Sequence, residues 1–232
     1  MRESLTRGLT QLGLSPDAVP QLEAYAAALL EKNRVMNLTA ITAPQDVATL
    51  HLLDCAALLT MADLRGKRVI DVGTGAGFPG MVLRILEPDF DLTLLDSLGK
   101  RIDFLKEVCS QLGLARVDCV HARAEEYAAG HRQQYDIAAS RAVANLNVLC
   151  ELALPLVKVG GQFAAMKSVS TDEEIRQAHS AIAQLGGQLS DITDYTVPET
   201  DVVHRIVSIE KTQHTPKQFP RAFARIKKAP LV

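Results

Sequence analysis

Four glycines crowd into the eight residues Gly73-Thr-Gly-Ala-Gly-Phe-Pro-Gly80, directly after the apolar run Val69-Ile-Asp-Val72. Only glycine lets a backbone turn this tightly and approach a ligand with no Cβ in the way. Two registers fit: Gly73-x-Gly75-x-Gly77, and Gly75-x-Gly77-x-x-Gly80, the second of which also matches the dinucleotide fingerprint. Asp96 follows Gly73 by 23 positions, at the end of the next expected strand. A carboxylate there can accept both hydroxyls of a ribose, so the pattern points to an adenosine-type ligand.

Two classes of enzyme share that chemistry, and Asp71 separates them. It stands two residues before the first glycine, at the carboxyl end of its strand. In S-adenosylmethionine sites an acid at this point can hold the cofactor's amino group, often through water, whereas dinucleotide folds usually carry an apolar residue. Further rim residues follow from the same logic, since ligands of doubly wound sheets sit beyond the carboxyl ends of the strands. His121-Ala-Arg-Ala-Glu125-Glu126 is placed to offer backbone amides and a carboxylate to an adenine ring, with Glu126 itself read as a solvated acid at a helix start. Arg141, in Ala139-Ser-Arg-Ala142, has the planar fork that suits a carboxylate or a phosphate, or an ordinary surface pair. Lys167 after Met166 adds a second cation. The absence of Asn-Pro-Pro-Tyr after the fourth strand argues against methylation of an adenine amino group.

The elements that must position these residues are legible from periodicity. Residues 1–63 are helical in pattern and lack a good strand: Ser15-Pro-Asp17 is a helix start, and Leu22, Tyr25, Ala26, Leu29 and Leu30 recur at helical spacing. A second helix start lies at Thr42 to Gln45, and this segment reads as an appendage. Residues 64–210 alternate strands (Arg68–Val72, Leu92–Leu95, Val117–Val120, Tyr135–Ala139, Gln162–Met166) with helices (Pro79–Leu86, Lys100–Leu112, Ala144–Val157, Thr171–Leu185). The last helix opens on Thr171-x-x-Glu174, a capping-box pattern. Such alternation implies an α/β fold with a parallel, doubly wound Rossmann-like sheet covered on both faces. Two runs with no long helix between them, Asp191–Val197 and Arg205–Ile209, read as a terminal antiparallel hairpin.

Composition narrows the class further. The chain has 232 residues, 47% of them hydrophobic and 22% charged, which excludes disorder, collagen and a membrane bundle. No apolar run approaches the length needed to span a bilayer and the first residues carry no apolar leader, so a soluble cytoplasmic protein is expected. Cys55, Cys109, Cys119 and Cys150 stand far apart, and the six histidines lack ligand spacing, so no metal site or disulfide framework is expected. His51 and Asp54 read as packing or capping residues, or as an RNA contact. The net charge of -2 hides an asymmetry: residues 211–232 carry six Lys or Arg and no acid, which leaves -8 for residues 1–210 (19 basic against 27 acidic). A basic tail on an acidic body fits a polyanionic partner, or serves solubility alone.

Together these runs resemble one family. Asn37-Leu-Thr-Ala-Ile-Thr42, His51-Leu-Leu-Asp54, Asp71 through Gly80, Leu94-Leu-Asp-Ser-Leu-Gly-Lys-Arg101, Ala122-Arg-Ala-Glu125, Ser140-Arg-Ala142 and Thr215-Pro-Lys with Phe219-Pro-Arg221 are similar to the glucose-inhibited division protein B family, the RsmG methyltransferases. That resemblance, running from about residue 25 to the end, implies a class I methyltransferase that moves a methyl group from S-adenosyl-L-methionine to guanine N7 of bacterial 16S ribosomal RNA. It implies that Gly73 and Phe78 line the cofactor pocket with Asp71, Gly75 and Gly77, that Asp96 holds the ribose, that Ala124 and Glu125 meet the adenine, and that Arg141 closes the site. Lys32, Cys55 and Ser168 depart from the residues usual in the family. Guanine N7 carries an unprotonated lone pair, so neither a catalytic base nor a nucleophile is expected.

The expected partner is 16S ribosomal RNA or the small ribosomal subunit, met by a monomer. Lys100, Arg101, Arg123 and Lys167 on the rim, with Lys217, Arg221, Arg225, Lys227 and Lys228 in the tail, are the candidate phosphate contacts. Two rivals remain at this stage. One is an NAD(P)-binding oxidoreductase, which lacks a visible Tyr-Lys or His-Asp pair for hydride transfer. The other is a non-catalytic RNA-binding module, which would not require four glycines and two acids at strand ends.

Overall fold

The computed structural model describes residues 1–141 and 144–231; Ala142, Val143 and Val232, and with them the last residue of the Ser140-Arg-Ala142 run and of the tail, lie outside the described residues. The N-terminal segment is helical throughout: α1 (Arg2–Gln11), a 3₁₀ turn (Pro16–Ala18) and α2 (Val19–Asn33). Ser15 caps the turn as its sequence predicts, its Oγ accepting from the Asp17 amide at 3.2 Å. Next, α3 (Pro44–Asp46), a π-helical stretch (Val47–Leu53), α4 (Asp54–Ala56) and a 3₁₀ turn (Ala57–Thr60) run on without a break. π-Helical turns concentrate at functional sites, and this one carries His51 and leads into Asp54.

Strands and helices then alternate: β1 (Arg68–Val72), α5 (Gly80–Leu86), β2 (Asp91–Asp96), α6 (Gly99–Gln111), β3 (Val117–His121), α7 (Ala124–Gly130), β4 (Tyr135–Arg141), α8 (Leu146–Ala153), β5 (Val157–Ser168) and α9 (Asp172–Gln184). Antiparallel β6 (Gly187–Thr196) and β7 (Val203–Lys211) form the expected hairpin, and α10 (Phe223–Lys228) lies in the tail. The sheet order is β3-β2-β1-β4-β5-β7-β6, with β1 to β5 parallel. Among the described residues no helix is long and apolar enough to cross a membrane.

Alternation along the strands sorts the core into two halves, because successive side chains point to opposite faces. Val69, Leu92, Leu94, Ile137 and Ala139 face α5, α6 and the N-terminal helices, where Leu5, Leu22, Tyr25 and Leu52 are buried. Ile70, Val72, Ala138, Phe163 and Val207 face α8 and α9, and the tail residues Phe219 and Ile226 complete that half. The N-terminal helices therefore cover one face of the sheet together with α5 and α6 and share its core.

Local departures from the sequence reading have local causes. The helix expected to reach Val157 stops at Ala153, since Pro155 has no amide to continue it. Gly160 and Gly161 lie inside β5, which opens at Val157, five residues before the expected strand start at Gln162, and a Cβ on Gly161 would come within 2.5 Å of the Asp136 carbonyl oxygen. The Thr171 capping box is not made. Thr171 Oγ1 donates to the Ser168 carbonyl at 2.8 Å, and Glu174 turns to Lys167 and the Leu146 amide. Lys211 ends β7 and is fully buried, so the first of the six tail charges belongs to the sheet.

Candidate active site

The glycine loop is held from below. Gly73 and Thr74 both donate to the Leu95 carbonyl, at 2.9 and 3.0 Å. Asp71 Oδ2 accepts from Thr74 Oγ1 at 2.7 Å and from the Gly80 amide at 2.8 Å, so one buried carboxylate ties both ends of the loop. Burial pushes its pKa up to about 6, against those two hydrogen bonds. Its Oδ1 is buried with no partner among the described residues. A Cβ on Gly80 would lie 2.9 Å from that carboxylate, which leaves glycine as the residue that fits.

Gly75 and Gly77 serve different ends. Gly75, at φ +60°, faces open space, and a Cβ there would meet nothing closer than 4.0 Å. Gly77, at φ +108°, backs onto the core, with Met81 Cγ 2.5 Å and Tyr25 Oη 2.7 Å from the position of a Cβ. The Tyr25 hydroxyl donates to the Ala76 carbonyl at 2.7 Å and fixes the loop to the N-terminal helices.

A cavity of about 530 Å³ opens above the loop, lined by Gly73, Thr74, Gly75, Phe78, Asp96 and Arg141 among others. Its size is within the range of small-molecule cofactor sites. The Asp96 carboxylate stands at its edge, 5% exposed, with Oδ2 accepting from the Gly75 amide at 2.9 Å and from Arg101 at 3.3 Å, and Oδ1 from the Leu98 amide at 2.8 Å. A side-chain-free backbone beside a preorganised acid fits an adenosine-containing cofactor. Of the residues expected to hold one, Asp71 and Gly77 support the loop from outside the cavity lining, and Ala124 and Glu125 open α7 beyond it.

Phe78, His51 and Arg141 form the far wall. The His51 ring stacks on Phe78 with centroids 4.5 Å apart, and the Arg141 guanidinium lies 4.6 Å from the same ring. Arg141 Nη2 donates to His51 Nδ1 at 2.9 Å; arginine has no acceptor, so the imidazole is neutral and its Nε2–H points to Thr39 Oγ1 at 2.7 Å. Burial, and then the Arg141 charge, hold the His51 pKa at about 4, consistent with that tautomer.

Behind the wall lies a second cavity of about 510 Å³, lined by His51, Asp54, Arg141, Lys167, Glu174 and His204 among others. Asp54 organises it. Oδ2 accepts from Arg141 at 3.0 Å, and Oδ1 accepts from the Tyr195 hydroxyl and from His204 Nδ1, both at 2.7 Å. Burial works against the Asp54 charge, but the His204 hydrogen bond and Arg141 outweigh it and hold the carboxyl below its usual range. The same hydrogen bond raises His204. Sequence reading found His51, Asp54 and Arg141 singly; it missed Tyr195, His204 and Glu174, for which only the position of the hairpin and of the last helix carried any signal.

The candidate RNA cations divide. Lys217, Arg225, Lys227 and Lys228 are exposed, as are Lys100 and Arg123. Arg123 also stacks over Phe223 of α10 at 5.3 Å. Arg101 is drawn to Asp96, and Lys167 to Glu174 at 2.5 Å. Arg221 is clamped on fully buried Glu151 by two side-chain hydrogen bonds of 2.8 and 2.6 Å. Lys211, buried without an acid and pushed down to about 7, donates to the Leu154 carbonyl and to Thr215. The tail is thus anchored through part of its charge and displays the rest. Cys55 and Cys150 are buried, which raises both thiols out of the nucleophilic range.

Comparison with known proteins adds independent findings. The family described as rRNA small subunit methyltransferase G (GidB) matches residues 18–203. The chain is 46% identical over 214 residues to the Ribosomal RNA small subunit methyltransferase G of Clostridium botulinum, covering 91% of this chain and 90% of that one. The protein of the same name from Alkaliphilus metalliredigens is 47% identical over 222 residues, at 94% and 93% coverage. Among solved structures, TrmN from Thermus thermophilus has a TM-score of 0.53 at 23% identity over 68% of this chain and 48%, about half, of its own. M. jannaschii TYW2 in complex with AdoMet has a TM-score of 0.52 at 13% identity, over 63% and 68%. Likeness at those identities bears on the fold alone, and it is the class I methyltransferase fold.

Proposed function

This chain belongs to the rRNA small subunit methyltransferase G family, and we propose on that premise that it methylates N7 of a guanine in bacterial 16S ribosomal RNA, with S-adenosylmethionine as methyl donor. The oxidoreductase and the non-catalytic RNA-binding readings are set aside by that membership. The observation that carries the proposal is the pair of cavities sharing His51 and Arg141 as a common wall. One has the backbone cradle and acid for an adenosine moiety; the other is a largely apolar crevice carrying charged side chains, of the size to receive a flipped base.

S-adenosylmethionine supplies an electrophilic methyl on a sulfonium sulfur. The protein's part is to position. Gly73 and Gly75 let the donor lie against bare backbone, Asp96 accepts the ribose hydroxyls, Phe78 walls the cavity, and Ala124 and Glu125 approach the adenine from the start of α7. Asp71 and Gly77 hold the loop in that shape. Arg141, fixed by Asp54 and His51, closes the boundary between donor and acceptor. Since guanine N7 attacks with a lone pair and releases no proton, alignment does most of the work, and about 7–11 kcal/mol of a barrier is within reach of alignment alone.

Lys100, Arg123, Lys217, Arg225, Lys227 and Lys228 track phosphates of the RNA, and salt weakens that contact. The protein acts as a monomer on the small subunit or its RNA, in the cytoplasm where that substrate is made. The test is chemical. Purified protein with S-adenosylmethionine should add one methyl to unmethylated 16S RNA at a site that alkali and aniline then cleave, because N7 methylation labilises the purine. A methylated product that resists this scission refutes the N7 assignment.

A further inference from the structure

Resting on the reading just given, the geometry points to Glu174 as the residue that selects guanine in the second cavity, by accepting hydrogen bonds from N1–H and the 2-amino group. Guanine presents two neighbouring donors on that edge, and the two lone pairs of one free carboxylate oxygen can accept both. Two carboxylates line the cavity, Asp54 and Glu174. Asp54 is 1% exposed and both its oxygens are taken, by Arg141, Tyr195 and His204. Glu174 differs on each count. Its side chain is 20% exposed, Oε1 accepts from Lys167 at 2.5 Å and from the Leu146 amide, and Oε2 accepts from no donor among the described residues.

The remaining polar side chains do not offer the same match. His51 has both ring nitrogens engaged, His204 is tied through Nδ1 to Asp54, and Arg141 and Lys167 are donors only. The Thr171 hydroxyl donates to a backbone carbonyl and Ser168 pairs with Ser170. Lys167 anchors one oxygen of Glu174 while its Nζ also donates to the Ala144 carbonyl at 2.6 Å, so the carboxylate is held in one orientation and presents the other oxygen. The arrangement also explains why the Thr171 capping box is left unmade: the glutamate that would close it is committed to the cavity. As methyl transfer puts positive charge on the purine, N1–H and the 2-amino group become better donors. Glu174 then binds the transition state more tightly than the ground state, which is the condition for raising a rate as well as affinity.

The experiment uses the full chain and two ligated RNAs that carry guanosine or inosine at the methylated position. Inosine keeps N7 and O6 and lacks the 2-amino group. The wild-type protein should methylate guanosine RNA with a kcat/KM about tenfold or more above inosine RNA. Glu174→Gln should lower the guanosine rate, bring the ratio to within about twofold, and leave S-adenosylmethionine binding unchanged by calorimetry. A wild type that treats the two RNAs alike overturns the proposal with no variant needed, and so does a folded Glu174→Gln that keeps the wild-type ratio. A wild-type product methylated elsewhere than N7 overturns the underlying reading and this proposal with it.

Discussion

The two cavities on either side of the His51–Arg141 wall are nearly equal in volume and opposite in construction. The proposed donor side is centred on one contiguous stretch, Gly73 to Phe78, and on Asp96 to Leu98 at the end of the next strand, with Leu38, Thr39, His51, Arg101 and Arg141 completing the lining. The acceptor side is assembled from side chains delivered by the π-helical segment, β4, β5, α9 and β7, and an ion-paired network keeps them together. A site built from local backbone tolerates change elsewhere in the chain, whereas a site built from distant charges depends on every contributor.

That contrast is most sharply broken at Asp54. Asp54→Ala leaves the largely buried Arg141 without its acid and removes the partner of Tyr195 and His204, so a stability loss of about 3–5 kcal/mol is expected in urea unfolding. A loss below about 1 kcal/mol would mean that the acceptor side does not depend on its charges. Next in size are the loop glycines. Gly77→Ala forces a Cβ to within 2.5 Å of Met81 at a positive φ and should cost about 2–4 kcal/mol of stability. Gly75→Ala meets no protein atom, should cost only about 1–2 kcal/mol, and should act chiefly on donor affinity measured by calorimetry. Equal unfolding midpoints for the two would erase the distinction between a packing glycine and a ligand-facing one. Smallest are the displayed tail charges. Lys227→Ala or Lys228→Ala should each reduce the slope of log RNA affinity against log salt by about one, with unfolding changed by no more than about 0.5 kcal/mol.

The same contrast governs what the sequence disclosed. The strands from Arg68 to Arg141, their parallel order, the terminal hairpin and the donor loop were legible, because each is written in local periodicity or in adjacent residues. Asp96 is legible for the same reason, ending the strand that follows the loop and α5, 23 positions after Gly73. Tyr195, His204 and Glu174 were not, since nothing near them in the chain records that they converge on one crevice. Thr171-x-x-Glu174 looked like an ordinary cap until Lys167, seven residues before Glu174, was seen to claim its carboxylate. The tail misled in a related way. Charge counting treats Arg221 and Lys227 alike, but Glu151, 70 residues upstream of Arg221, commits one of them to the fold.

The shared wall carries a thermodynamic consequence. His51 and Arg141 belong to both linings, so any shift of the Phe78 stack on loading one cavity alters the free energy of filling the other. Linkage requires that influence to be mutual: whatever factor the donor contributes to RNA affinity, RNA contributes to donor affinity.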